Sequence, residues 1–414
     1  MKLQSSETPH RAITRDSMHQ PSIAIIGGGA AGLSAAIAAA RLGASVTVLE
    51  AAPRVGKKIL VTGNGRCNLT NTAVAPAAYN QPAFVEPVLA EYNADAIRDF
   101  FGELGLLTYA DDEGRVYPVS NAANSVLDVL RLECAHLGVA ERCGFEVMGI
   151  LEADGGFQVA SRDGETISAD AVVVTTGGGE GSLLSALGHG SVAPVPVLGP
   201  LTTELAPIRG LSGVRVRCAA SLLDDAGEPV ATERGELLFR DYGVSGIMIF
   251  DLSRALERGR TLSIDFFPDI ASDAFAALIA KRCAELSWRS ADTFFDGMLQ
   301  SRVAIAVLRA AGIDPKTPVA ELRAVTLASL LKDFRLAVTG RGDASQAQVT
   351  RGGAPVAEFD PRTLASRIAP GVFAAGEVLD VDGRCGGFNL HWAWASGIVA
   401  GQSAVHFATR GDRS

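Results

Sequence analysis

The chain has 414 residues, of which 48% are hydrophobic and 20% charged, and a formal net charge of -9. That length holds two or three domains with a large core, and the composition is that of a soluble α/β protein. The acidic balance argues against nucleic acid or an anionic membrane as the main partner, and no apolar run reaches bilayer-spanning length without charges or breakers.

Residues 1–20 are polar, lack the apolar stretch of a signal peptide and read as a disordered leader, with Met18 an alternative start. The six cysteines, Cys67, Cys134, Cys143, Cys218, Cys283 and Cys385, are scattered. None forms a Cys-x-x-Cys pair or a zinc-type cluster with histidine, so no metal site is expected and a reduced, cytoplasmic protein is the simplest reading.

The first element is the most informative. Ile23–Ile26 is a short apolar run of the kind a buried parallel strand needs. Gly27, Gly29 and Gly32 fit G-x-G-x-x-G, with Ala30 and Ala31 inside the motif. The first glycine permits a tight turn, the second lets the backbone approach a diphosphate, and the third lets helix and strand pack closely. Leu33–Leu42 reads as helix, with Gly43 ending it, and Val46–Leu49 as a second strand. Glu50 follows, placed to accept hydrogen bonds from a ribose. Strand, glycine turn, helix, strand and acid occur in order, and the helix N-terminus supplies N–H groups and partial positive charge.

Residues 50–56 resemble the E-x-x-x-R-x-G continuation of flavoproteins, which puts Arg54 near the ribose and phosphates. Lys57 and Lys58 form a basic spot suited to phosphates. Residues 84–105 read as a helix, Arg115–Pro118 as a hairpin strand, and Ser125–Leu137 as an amphipathic helix capped by Asn124 or Ser125. Strand signals follow at Phe145–Leu151, which carries Val147, at Phe157–Ser161, and at the apolar run Ala171–Val174, with turns at Asp154-Gly155 and Asp163-Gly164. The last run ends in Thr175-Thr176-Gly177-Gly178. The helix after it is short and no acid follows at ribose spacing. It therefore reads as a strand returning beside the cofactor, with Thr176 and Gly177 next to it, and not as a second nucleotide loop.

Prolines 194, 196 and 200 mark a linker. Short strand patterns follow to residue 265, then helical patterns over 271–333 with breaks near Gly297 and Gly312–Pro315, then a strand at Arg335–Val338. The sequence thus divides into the leader, a dinucleotide domain of residues 21–192 and 347–410, a β-rich insertion of 193–265 and 334–346, and a helical insertion of 266–333. Val372–Asp380 is another strand ending in glycine and acids, and Leu390–Phe407 reads as a closing helix. Its segment Ala374–Asp380 resembles the C-terminal flavoprotein motif in which the aspartate hydrogen-bonds the ribityl or diphosphate part of FAD. Gly376, Glu377 and Asp380 are its site residues.

Three longer segments carry a closer resemblance: Gly56–Asn68, Phe239–Gly246 and Gly376–Gly397. They are similar to the signatures of the BaiN/YhiN-like family of NAD(P)/FAD-dependent oxidoreductases, over nearly the whole chain from Ser22 to Ala408. The resemblance implies an α/β fold, a Rossmann-like FAD-binding domain interrupted by a β-barrel-like subdomain and a small helical one. It implies FAD as cofactor, NAD(P)H as a transient reductant and a small-molecule substrate. The activities it implies are reduction of conjugated steroid-type enones or, alternatively, oxygen-dependent amine oxidation of the aminoacetone type. A flavin-binding protein without turnover is the non-enzymatic alternative. Gly65, Arg66, Cys67 and Asn68 are expected on one side of the flavin, and Gly386, Gly387, Phe388, Asn389 and Leu390 on the other. Where the family commonly has glutamine, this chain has His391.

Cys67 and Cys385 are read as thiols lining the cofactor pocket and not as a redox pair. Trp392 and Trp394 are read as core, and His136 and His189 as structural. Tyr117 and Tyr242 lie in the family-like loops and are the candidates to donate a proton to a carbanion left by hydride addition.

Overall fold

The computed structural model describes residues 20–410 except 154, 180–181 and 257–258. Nearly all of the leader, Met18 and the first residue of the Asp154-Gly155 turn lie outside the described residues.

A five-stranded parallel sheet runs in the spatial order Val372–Ala374, Ala171–Val174, Ser22–Ile26, Ser45–Glu50, Ala140–Cys143. Its central runs Ile23–Ile26 and Ala171–Val174 are buried, which is why they are continuously apolar and do not alternate. The first helix, Ala30–Arg41, packs against the closing helix, Phe388–Arg410. Both contribute small residues at the crossing. A Cβ on Gly397 would lie 2.3 Å from the Ala31 carbonyl oxygen, and one on Gly401 2.3 Å from that of Ala35. An antiparallel sheet of Val147–Ala153, Gly156–Ser161 and Thr166–Ala169 lies beyond the main sheet.

A second hydrophobic core, from Leu201 to Leu336, belongs to a closed six-stranded barrel. Its order is Leu201–Thr203, Gly243–Ser245, Pro229–Arg240, Arg215–Leu223, Thr261–Asp265, Phe334–Arg341, with the last pairing back to the first. Between its last two strands in sequence come the helices Ser272–Glu285, Ala291–Phe294, Ser301–Ala310 and Ala324–Lys332.

Three expectations are corrected. The segment with Pro194 and Pro196 is not an irregular linker: Val192–Val197 is a strand paired with Val349–Gly353, and a two-stranded ribbon tolerates prolines whose missing N–H faces outward. The helix expected over 84–105 is two helices, Pro82–Glu91 and Ala94–Glu103, because Asn93 caps a new start by accepting from Ala96 N–H at 3.0 Å. The helix expected from Ser125 spans Ala123–His136, with Ala122 at its N-cap and no side-chain cap; the Ser125 hydroxyl bonds Ser120 instead.

Candidate functional site

The glycine turn explains itself atom by atom. Gly27 has φ +104°, and a Cβ there would sit 2.5 Å from the Thr175 carbonyl oxygen. A Cβ on Gly32 would be 1.9 Å from the Gly27 carbonyl oxygen. Around Gly29, in contrast, nothing lies within 4 Å of an added Cβ, so this side of the turn is open. The first amide bonded along the helix is Leu33 N–H, to the Gly29 carbonyl, which leaves the amides of Ala30, Ala31 and Gly32 for an anion.

Next to this turn is a cavity of about 240 Å³. Gly27, Glu50, Val147 and Thr176 line it, with apolar walls from Leu49, Phe145 and Val174. Four expected cofactor residues thus meet across more than a hundred residues of chain. Glu50 is held in place by two amides: Gly28 N–H donates to one carboxylate oxygen at 2.7 Å and Ala52 N–H to the other at 2.8 Å. Each oxygen retains a second lone pair for a hydroxyl donor. Arg54 is exposed and outside the cavity's lining.

The other end of the site is built by the segments 59–71 and 376–390, tied together through the closing helix. Trp394 Nε1 donates to the Leu69 carbonyl at 3.1 Å and Trp392 Nε1 to that of Gly376 at 3.2 Å. Both tryptophans are buried core residues. Tyr79 donates to the Phe388 carbonyl at 2.8 Å. Asn389 folds the preceding turn, accepting from Gly383 N–H and donating to the Gly383 and Arg384 carbonyls, so it presents backbone and not side chain to a ligand. Leu390 is half-buried against the main core. Lys58, expected at a phosphate, pairs with Glu377 at 2.5 Å, and Glu377 also accepts from Thr350 N–H at 2.7 Å. Asp380 accepts from Gly352 N–H at 3.0 Å.

Gly387 has φ +105°, and a Cβ there would fall 2.4 Å from the Thr70 carbonyl oxygen and 2.8 Å from Asn68 Oδ1. That Asn68 oxygen is buried and has no hydrogen-bond partner among the described residues. A buried acceptor left unpaired costs about 1–3 kcal/mol, so one beside a glycine of positive φ argues for an external donor. The open amides at Gly29, the cavity and this orphaned oxygen all fit FAD, whose two ends need those groups.

Cys67, next to Asn68, is buried with φ +57°, and burial pushes its thiol up to about 12. Cys385 is likewise pushed up to about 12 by burial, and both thiols are free. Tyr117 is buried under the Arg66 guanidinium, which lies 4.5 Å from its ring centroid. Tyr242 lies on the barrel and contacts Gln346 Oε1 at 3.3 Å.

The sequence reading missed Asp382, fully buried between Arg254 and Arg351. It missed Asp251 too, which accepts from Cys385 N–H at 2.7 Å and is pushed up to about 6 by burial. The extra acid in Asp380-x-Asp382 was the available signal.

The parallel sheet with its glycine turn and the barrel set into it define a flavoprotein oxidoreductase of the Rossmann type. The chain belongs to the family described as HI0933-like protein Rossmann domain, whose model matches residues 21–403. It is 35% identical over 407 residues to the 3-dehydro-bile acid delta(4,6)-reductase of Clostridium scindens, covering 92% of this chain and 98% of the relative. It is 29% identical over 402 residues to the ribosomal RNA dihydrouridine synthase of Escherichia coli, covering 92% and 97%. Among solved structures it is similar to the 3-ketosteroid-delta4-(5alpha)-dehydrogenase of Rhodococcus jostii, with a TM-score of 0.48, 16% identity, and 95% and 99% of the two chains covered. The exclusion of nucleic acid drawn from net charge finds no support here, since a relative carries the name of an enzyme acting on ribosomal RNA. No helix among the described residues is long and apolar enough to cross a membrane.

Proposed function

We propose that this protein is an FAD-dependent reductase of a small conjugated carbonyl compound, with NAD(P)H as the source of electrons. The observation that carries the reading is the near full-length likeness, at 35% identity, to a relative named as a bile acid reductase. When bound, FAD supplies hydride chemistry at its ring. The chain's own residues do the rest. The Ala30, Ala31 and Gly32 amides and Glu50 hold the diphosphate and ribose end, and Asn68, Gly387 and Phe388 orient the ring. Of the two tyrosines expected to supply a proton, Tyr117 fits better, because the Tyr242 hydroxyl already faces the Gln346 carbonyl oxygen.

A second reading has its own support in the rRNA dihydrouridine synthase relative. The uracil ring contains a carbon–carbon double bond conjugated to a carbonyl, so both names describe one reaction class on different carriers. Purified protein reconstituted with FAD decides among these. Under anaerobic conditions, flavin bleached by NADH or NADPH and reoxidised by a steroid-type enone supports the first reading. Reoxidation only by an rRNA fragment supports the second. Peroxide formed from an amine, or a flavin that responds to nothing, overturns both.

A further inference from the structure

The chain has five tyrosines. Four of their hydroxyls face an oxygen that accepts: Tyr79 the Phe388 carbonyl, Tyr92 Gln402 Oε1, Tyr109 Asn121 Oδ1, and Tyr242 Gln346 Oε1. Tyr117 is the exception among the described residues. The residue is only 4% exposed, yet its hydroxyl meets a single polar group among the described residues, Arg66 Nη2 at 3.5 Å. A guanidinium has only N–H to offer. The phenolic proton therefore has no acceptor among the described residues. Arg66 in turn is exposed and meets no carboxylate among the described residues; its guanidinium carbon lies over the phenol ring instead, 4.5 Å from the centroid. Arg66 Nη2 donates toward the phenolic oxygen, and the phenolic proton beside it is left to be given to something else.

Their place in the fold is specific. Arg66 directly precedes Cys67 and Asn68. Tyr117 lies on the strand Arg115–Pro118, which pairs with Thr70–Asn71. Thr70 is the residue whose carbonyl presses on Gly387, and Asn71 Nδ2 donates to the Gly386 carbonyl at 3.0 Å. The donor pair thus belongs to the same layer as the orphaned Asn68 oxygen and the glycine pair. Burial raises the Tyr117 phenol above its ordinary range, while Arg115 and Arg66 pull it back. It stays protonated at neutral pH and able to donate.

We propose that Arg66 and Tyr117 together hold the carbonyl oxygen of the substrate, which makes the pair an oxygen-anchoring site for a planar conjugated carbonyl compound. This rests on the flavoprotein reading for what lies beneath the substrate, but it moves Arg66 from cofactor binding to substrate binding. Two donors on one oxygen strengthen as negative charge gathers there. An alkyl amine offers no such oxygen.

The test is calorimetric titration of the FAD-loaded protein with para-nitrophenol in its ionised form, a planar conjugated oxyanion. Wild type, Arg66→Met and Tyr117→Phe are compared, with FAD content read from the visible spectrum of each. Wild type is expected to bind, and each variant to bind roughly 10- to 100-fold more weakly at unchanged FAD content, the range for a hydrogen bond with a charged partner. Absence of binding by wild type, or undiminished affinity in either variant, overturns the proposal while the flavin bands leave the flavoprotein reading intact. Protein that takes up no FAD, yet binds the probe in a manner that depends on both residues, sinks the flavoprotein reading and leaves the donor pair standing.

Discussion

Nδ1 of His391 stands 2.8 Å from Oγ1 of Thr70, and the other ring nitrogen lies 2.9 Å from the Tyr92 carbonyl oxygen. A carbonyl only accepts, so Nε2 carries the proton and Nδ1 accepts from the threonine hydroxyl. A glutamine amide offers the same pairing, one donor and one acceptor at the end of a short stem. That accounts for histidine here where the family resemblance leads one to expect glutamine. His391→Gln is expected to keep stability within about 1 kcal/mol and to keep full FAD content. His391→Leu strands the Thr70 hydroxyl and the Tyr92 carbonyl in the core, at about 1–3 kcal/mol each. Urea unfolding of the two variants checks this, and equal losses would refute it.

The same ring sets a pH dependence. Burial pushes His391 down to about 4 from an ordinary 6.5. Folding therefore favours the neutral form. Its contribution is complete above pH 6.5 and is lost as pH falls toward 4, where the unfolded chain binds a proton that the folded chain refuses. Asp251 works in the opposite sense. Raised to about 6, it adds stability at low pH that is lost as pH rises through that value. Comparing wild type with His391→Gln cancels Asp251, which titrates in both. Relative to the variant, wild type is expected to lose about 2 kcal/mol between pH 7 and pH 5. Parallel pH profiles would show that the ring is charged in the folded state.

Two glycines in helices should respond to alanine with opposite signs. Gly102, in the helix Ala94–Glu103, has nothing within 4 Å of an added Cβ. Gly102→Ala should stabilise by about 0.5–1 kcal/mol through lost backbone freedom in the unfolded chain. Gly401→Ala gains a similar helix propensity, but its methyl would meet the Ala35 carbonyl at 2.3 Å. That neighbour is backbone and cannot rotate away, and overpacking costs about 1–3 kcal/mol. A net loss of about 1–2 kcal/mol is expected, with FAD content falling too, since the displaced helix carries the amides proposed to hold the diphosphate. Thermal melts of both variants decide the signs.

What could be read from the chain alone follows from how local each signal is. The turn from Gly27 to Gly32 and the acid at Glu50 are fixed by contacts within one βαβ unit, so their order in sequence suffices. The apolar run Ala171–Val174 is buried on both faces and announces itself. The break at Asn93 was also local, a capping asparagine that the continuous apolar pattern of residues 84–105 obscured. The crossing of Gly397 and Gly401 on the first helix was hidden because those glycines answer to Ala31 and Ala35, some 366 residues away. Asp382 was hidden for the same reason: its partners come from the barrel and from the connecting ribbon, and the extra acid two residues after Asp380 was its one local sign.

Asp382 is completely buried, and three guanidinium contacts reach its carboxylate: Arg254 Nε at 2.7 Å, Arg351 Nε at 2.7 Å and Arg351 Nη2 at 3.1 Å. Arg254 caps the helix Ile247–Ser253 inside the barrel's core, whereas Asp382 follows the FAD-type motif, so the cluster joins the barrel to the sheet domain. Arg351 also donates to the Arg254 carbonyl at 2.7 Å. Removing one member of such a buried cluster costs about 3–5 kcal/mol because the remaining charge is left without its partner. Asp382→Ala is expected to fall in that range. A double-mutant cycle with Arg254→Ala should give a coupling above about 1 kcal/mol. Strict additivity would mean that the Asp382–Arg254 pair does not couple the barrel to the sheet domain.

The orphaned oxygen of Asn68 separates cofactor binding from folding. Among the described residues Oδ1 bonds nothing, so replacing the amide forfeits no hydrogen bond to them at that atom. If a donor on the flavin ring completes it, the loss appears only when FAD is present. Asn68→Ala is therefore expected to unfold within about 1 kcal/mol of wild type when FAD is stripped from both. In the presence of FAD it should bind the cofactor roughly tenfold more weakly, the equivalent of one hydrogen bond of about 1.4 kcal/mol. Glu50→Ala is the contrast. Its carboxylate already anchors the Gly28 and Ala52 amides, so it should lose stability with and without FAD. Flavin fluorescence titration together with urea unfolding of the apoprotein measures both quantities. An Asn68 variant that retains FAD as tightly as wild type would mean that the buried oxygen is simply unsatisfied, and that the flavin ring does not pass beside Gly387.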